Sequence, residues 1–152
     1  MPMDLEEQYD KIYRYCYFKL HHKETAEDIT QETFLRFLDS GTYHDTGRAL
    51  RYLYTIAGNL CIDEYRRRPS EPIPEDLAAS EPQNQLLTNM AVRQALQELS
   101  PEDQELLLLR YVNEVPMAVI CSLLHISRFA VYRRIQKALD QLHVYLKEED
   151  FR

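Results

Sequence analysis

With 152 residues, 45% of them hydrophobic and 28% charged, the chain has the composition of a soluble globular protein holding one ordinary domain or two small ones. Only 3 glycines and little alternation of β-branched residues argue against sheets, and no apolar run approaches the roughly 20 residues that span a bilayer. A net charge of −7 disfavours indiscriminate DNA binding, and no Gly-rich phosphate loop, Ser/His/Asp or Cys/His signature or metal-ligand spacing marks an enzyme.

The start, MPMDLEEQYD, is acidic and has no signal-peptide core. Cys16, Cys61 and Cys121 are widely separated singletons. They fit buried small residues in a reducing cytoplasm rather than disulfides or zinc ligands. Cys121 and His125 stand four apart, which is half a metal site, but a small residue and a turn residue account for them better.

In chain order, Leu5, Ile12, Tyr13, Cys16 and Leu20 form the apolar stripe of a first helix, with tyrosine hydroxyls at its edge. The run TAED has the capping-box pattern, predicting that Thr25 caps a second helix and Asp28 reaches back. Ile29, Phe34, Leu35 and Leu38 continue it at helical spacing. SGTYHDTG, with Gly41 and Gly47, breaks the pattern. Leu50, Leu53, Tyr54, Ala57, Leu60 and Ile62 then make a long helix ending in Arg66, Arg67 and Arg68.

The next stretch, RPSEPIPEDLAASEPQN, holds four of the 7 prolines: Pro69, Pro72, Pro74 and Pro82. Proline stops helices and pushes its predecessor toward extended backbone. Residues 69–88 also carry four acids (Glu71, Glu75, Asp76 and Glu81) and no base, more than half of the net charge. The stretch reads as an extended acidic linker between an N-terminal module, 1–68, and a C-terminal module, 89–152.

In the second module SPED predicts a helix capped by Ser100, with Pro101 first and acids behind it, favoured by the helix dipole. After an apolar run from Leu106 to Tyr111, Pro116 opens a short helix. Ile120, Cys121, Leu123 and Leu124 are its expected buried side. A break at His125 and Ile126 follows, and Ser127 caps a further helix seated by Ile126, Val131, Ile135, Ala138 and Leu139. Two helices joined by so short a turn form a helix-turn-helix, whose second helix can enter the DNA major groove. The free face then carries Arg128, Tyr132, Arg133, Gln136 and Lys137, with Arg134 beside it and no carboxylate before Asp140. Arg and Lys suit phosphates and guanine edges, and Gln suits adenine. A solvated basic face on a helical hairpin fits the same periodicity.

These stretches resemble a family. LQELSPEDQELLLLRYVNEVPMAVICSLLHISRFAVYRRIQKALDQL is similar to region 4 of bacterial sigma-70-family factors of the extracytoplasmic-function (ECF) type. TAEDITQETFLRFL resembles their region 2.2, and RALRYLYTIAGNLCIDEYRRR resembles regions 2.3 and 2.4, with Tyr52 where tryptophan is usual. The resemblance covers nearly the whole chain in the right order. It implies an all-α fold of two small helical domains joined by the linker, and a cytoplasmic, non-catalytic factor needing no cofactor. Such factors bind core RNA polymerase, at its clamp helices and flap, and direct it to the −10 and −35 promoter elements. No direct membrane insertion is implied.

By position, the resemblance assigns polymerase contact to Asp28, Gln31, Glu32, Phe34, Leu35 and Arg36. Capping and a solvated acidic face account for the same residues. It assigns −10 DNA to Arg48, Arg51, Tyr52, Tyr54, Asn59, Arg66, Arg67 and Arg68. Residues 46–68 carry five arginines against two acids, and aromatics offer unstacked bases a stacking surface. Packing in the core is an equal role for Tyr52 and Tyr54. Contacts to the −35 element fall to Arg128, Tyr132, Arg133, Arg134, Gln136 and Lys137.

The family's acidic pair is replaced by Ala118 and Val119, its frequent glycine by Phe129, and the usual turn glycine by His125. By the same resemblance an anti-sigma protein is a natural partner and the acidic linker runs near the polymerase active site. A spacer kept extended by its charge fits that linker equally. Two other functions stay open: a stand-alone helix-turn-helix regulator, and a helical adaptor that sequesters partners.

Overall fold

The computed structural model describes residues 4–41, 46–67 and 90–150. The chain divides into two compact units, Met1–Leu77 and Ala78–Arg152. Among the described residues every regular element is a helix, as the sparse glycine and the helical spacing of the apolar residues predict. The linker, 69–88, and Arg68 lie outside the described residues.

The first unit packs three helices mutually: α1 (Leu5–Leu20), α2 (Lys23–Ser40) and α3 (Thr46–Arg67). Asp4 caps α1, its carboxylate accepting from the Glu7 N–H at 3.2 Å. Ile12, Tyr13, Tyr15, Cys16 and Tyr17 are buried, whereas Leu5 is exposed and Leu20 only half-buried. The chain reverses through His21 in the left-handed region (φ 56°), whose N–H donates to the Tyr17 carbonyl.

The start of α2 departs from the predicted capping box. His22, not Thr25, is the cap: its Nδ1 accepts from the Thr25 N–H at 3.3 Å and lies 2.9 Å from the Thr25 hydroxyl. The α1–α2 corner is so tight that the helix begins three residues earlier than the motif suggests, leaving Thr25 in its first turn. Further along α2, Thr30 and Thr33 are fully buried, and their hydroxyls donate to the Ala26 and Ile29 carbonyls at 2.7 Å. That back-bonding satisfies two polar groups in an apolar interface at little cost. Helix α2 ends at Gly41 with φ 73°, a conformation glycine adopts without the strain a side chain would add.

The core of α3 is Ala49, Leu50, Leu53, Tyr54, Ile56, Ala57 and Cys61. Leu60 is half-buried and Ile62 exposed, so the predicted stripe turns away before its last two members. Gly47 lies within the first turn of α3 rather than in the break before it.

In the second unit α4 (Met90–Gln97), α5 (Pro101–Leu107) and α6 (Met117–Leu124) each pack on the long α7 (Arg128–Asp150). The Ser100 hydroxyl caps α5 as predicted, accepting from the Asp103 N–H at 3.2 Å. Replacing Ser100 with Ala should cost about 1 kcal/mol, read as a lower urea midpoint for this unit. An unchanged midpoint would mean that water caps the helix equally well.

Leu106, Leu107, Leu108 and Leu109 are all buried. Helix α5 runs into one π-type turn over Leu108–Val112. The inserted residue shifts the helical phase, and α6 packs against this segment. The buried Asn113 closes the turn with an N–H to the Leu108 carbonyl at 2.8 Å.

Candidate functional site

Three exposed faces carry the residues singled out by sequence. On α3, positions 48, 52, 55, 59, 62 and 66 recur every three or four residues and so share one side. Arg48, Arg51, Tyr52, Thr55, Asn59, Ile62 and Arg66 are all exposed there, with Arg67 at the end. The opposite side is the buried stripe, which fixes how the helix is rotated. Tyr52 is 38% exposed and leans on Phe37 with 6.3 Å between ring centroids. Phe37 on α2 thus props one part of the ring and leaves the rest open. Arg67 pairs loosely with Glu64 at 3.4 Å.

On α2, Asp28, Gln31, Glu32 and Leu35 project from the surface on one side, with Leu38 and Asp39 continuing it. Leu35 is 65% exposed, an apolar contact ringed by acids and an amide. Arg36 donates from Nε to the Glu32 carboxylate at 2.8 Å. Both side chains are about half exposed, so the pair contributes little stability.

The third face belongs to the helix-turn-helix of α6 and α7. His125 takes the left-handed conformation (φ 59°, ψ 39°) that lets the chain leave α6. Its N–H and that of Ile126 both reach the Cys121 carbonyl. Ser127 caps α7, its hydroxyl accepting from the Ala130 N–H at 3.1 Å. Val131, Ile135 and Ala138 seat the helix, with Ile126 and Leu139 half-buried. Arg128, Tyr132, Arg133, Gln136 and Lys137 are exposed, and Arg134 is half-buried at their edge. The Gln136 amide donates to the Asp140 carboxylate at 3.0 Å, which orients it and ends the basic run.

Within α6 the buried side is Met117, Val119 and Ile120, while Cys121, Leu123 and Leu124 are half-buried. The substitutions at 118 and 119 thus divide: Val119 repacks the core and Ala118 stays outside.

The chain matches the family model for sigma-70 region 2 over residues 5–70 and that for sigma-70 region 4 over residues 89–142. The chain belongs to the sigma-70 family, ECF type. It is 39% identical over 127 aligned positions to the ECF RNA polymerase sigma factor BldN of Streptomyces coelicolor, covering 75% of this chain and 48% of that protein. To the ECF RNA polymerase sigma factor SigW of Bacillus subtilis it is 26% identical over 158 positions, 91% of this chain and 84% of the relative. To SigE of Mycolicibacterium smegmatis it is 30% identical over 148 positions, covering 90% and 58%. The chain therefore spans about half the length of the Streptomyces relative.

Region 2 of this sigma factor is the three-helix unit that presents the α2 and α3 faces, and region 4 contains the helix-turn-helix. Two residues assigned to contacts do not share those faces. Phe34, 8% exposed, turns inward against Tyr9 at 5.3 Å and Phe37 at 6.5 Å. Tyr54, 1% exposed, meets Tyr15 edge-on at 5.2 Å, so core packing rather than base stacking is its role. Both are apolar positions of helices flanked on two sides in a bundle, where the buried stripe is wide. Conversely Thr55, Ile62, Leu38 and Phe129 project on these faces without having been assigned to them. Helical phase alone adds the first three; Phe129 is marked only by its departure from the family pattern.

No helix among the described residues is long and apolar enough to cross a membrane. Nor does any group of His, Cys, Asp or Glu among them form a metal site.

Proposed function

We propose that this chain is a promoter-specificity subunit that binds core RNA polymerase and directs it to promoters through their −10 and −35 elements. The observation that carries it is the pair of region matches in order, each falling on a unit with a solvent-facing helix of suitable chemistry. It acts by binding, without catalysis of its own, in the cytoplasm with polymerase.

In this reading the N-terminal domain, 1–68, docks the polymerase clamp helices through Asp28, Gln31, Glu32, Leu35 and Arg36. The exposed leucine ringed by acids supports that role, since such a surface pairs with basic groups around an apolar contact. Phe34 holds α2 in place from beneath. The −10 strand lies along Arg48, Arg51, Tyr52, Asn59, Arg66 and Arg67, with Arg68 continuing the basic run. Tyr52 offers its open ring to a base and the arginines hold the phosphates. Tyr54 supports that helix from the core.

The C-terminal domain, 89–152, sets α7 in the major groove of the −35 element through Arg128, Tyr132, Arg133, Gln136 and Lys137, with Arg134 flanking; the domain also meets the polymerase flap. Residues 69–88 link the two, and their negative charge keeps the free chain off non-specific DNA. An anti-sigma protein covering the α2 face and the α7 face would hold the factor inactive.

Mixing the purified chain with core polymerase and a promoter library separates this reading from the others. Promoter-specific transcripts only when core is present support it. Tight duplex binding by the chain alone, with no core-dependent transcript, supports a stand-alone regulator, and neither outcome supports an adaptor.

A further inference from the structure

Phe129 is the most exposed of the large hydrophobic side chains among the described residues, 73% of its surface open to solvent. It stands in the first turn of α7. Single exposed apolar residues are common, but the position of this one is informative. At helical spacing Tyr132, Arg133 and Gln136 follow at i+3, i+4 and i+7, so the ring occupies the middle of the exposed face. The Arg133 guanidinium lies over it, 5.3 Å from the ring centroid. The other side chains of that face carry a charge or, as in Tyr132 and Gln136, a group that can hydrogen-bond. The ring adds nothing to the core, and phenylalanine is a poorer helix former than alanine.

The surface around the ring limits its occupant. A basic patch selects a polyanion, and in a helix-turn-helix the N-terminal residues of the second helix reach the base edges. At the floor of the major groove the one apolar group a base presents is the C5-methyl of thymine, which Phe can contact. We propose that Phe129 is a specificity residue that reads a thymine methyl in the −35 element and, by stacking, holds Arg133 toward a neighbouring guanine. The inference rests on the sigma-factor reading above. It gives this chain a thymine preference that a glycine at the same position could not supply.

The test uses holoenzyme assembled from core polymerase and the full chain. A promoter library randomised over the −35 element is selected by wild type and by Phe129→Ala, and the wild-type winner is rebuilt with deoxyuridine for each −35 thymine in turn. Wild type should enrich thymine at one position. Removing that methyl should lower open-complex formation about fourfold, the factor given by one buried methylene-sized group. Phe129→Ala should lose both the enrichment and the response. The side chain is exposed, so the variant folds.

Selection without an enriched thymine, or an Ala variant that keeps both effects, would overturn the proposal. So would a fall in core affinity for Phe129→Ala, which would set the ring against polymerase. If no promoter is selected by any holoenzyme, the sigma-factor reading itself fails. If promoters are selected but are indifferent to the methyl group, only the Phe129 inference fails.

Discussion

Reversing Asp28 and Glu32 together to lysine should lower affinity for core RNA polymerase on the order of 100-fold, or about 2.7 kcal/mol, while the chain stays folded. Both carboxylates are exposed on α2, and neither supports the core. Among the described residues the change breaks the pair of Glu32 with Arg36, at 2.8 Å on the surface, worth roughly 0.3–0.5 kcal/mol. On the proposed docking face, where the carboxylates would meet basic groups of the partner, the change turns two attractions into two repulsions around Leu35. The comparison is the same charge change at Glu6 and Asp10 of α1, both also exposed. Affinity is measured by titrating labelled chain with core, and folding by circular dichroism and urea unfolding. Equal loss in the α1 variant would mean that global charge governs association. Retained affinity in the α2 variant would mean that another face docks.

Replacing Arg133 and Lys137 with alanine should reduce transcription from promoters that depend on the −35 element by about 10- to 100-fold, with core affinity intact. An arginine paired to guanine discriminates by roughly 1–3 kcal/mol, and each lost phosphate contact lowers the salt slope of binding by about 0.9. The two residues sit a helical turn apart on the exposed side of α7, so neither deletion opens a cavity. A distinguishing readout is the base preference: it should relax where Arg133 reads and persist where Lys137 only touches phosphate. A parallel fall in core affinity would count against the assignment.

The architecture was legible because its boundaries are local. Ser100 and Ser127 cap their helices, Pro101 and Pro116 open theirs, and His125 makes its left-handed turn, each through chemistry within a few residues. The exposed basic side of α7 was legible too, because its periodicity and charge coincide on one helix.

What local pattern could not reveal was which apolar residues face inward where helices are flanked on two sides. Leu35 and Leu38 fit the same helical spacing as Ile29, yet only Ile29 is buried. Phe34 and Tyr54 went inward for the same reason, their neighbours being contributed by α1, a distant segment. The cap by His22 follows from the abrupt α1–α2 corner, which overrode a plausible capping box one turn later. The π turn at Leu108–Val112 has no spacing signal beyond four successive leucines, which suit a buried helix of any phase.

The central claim is that two helical units of one chain engage a polymerase and a promoter at once. Its most direct measurement is a low-salt association assay of the folded, inhibitor-free chain with bacterial core enzyme, followed by run-off transcription on fragmented genomic DNA. Saturable one-to-one binding and transcripts starting at discrete, chain-dependent sites are predicted. Folded chain that never associates with core, or transcripts identical with and without it, would contradict the account.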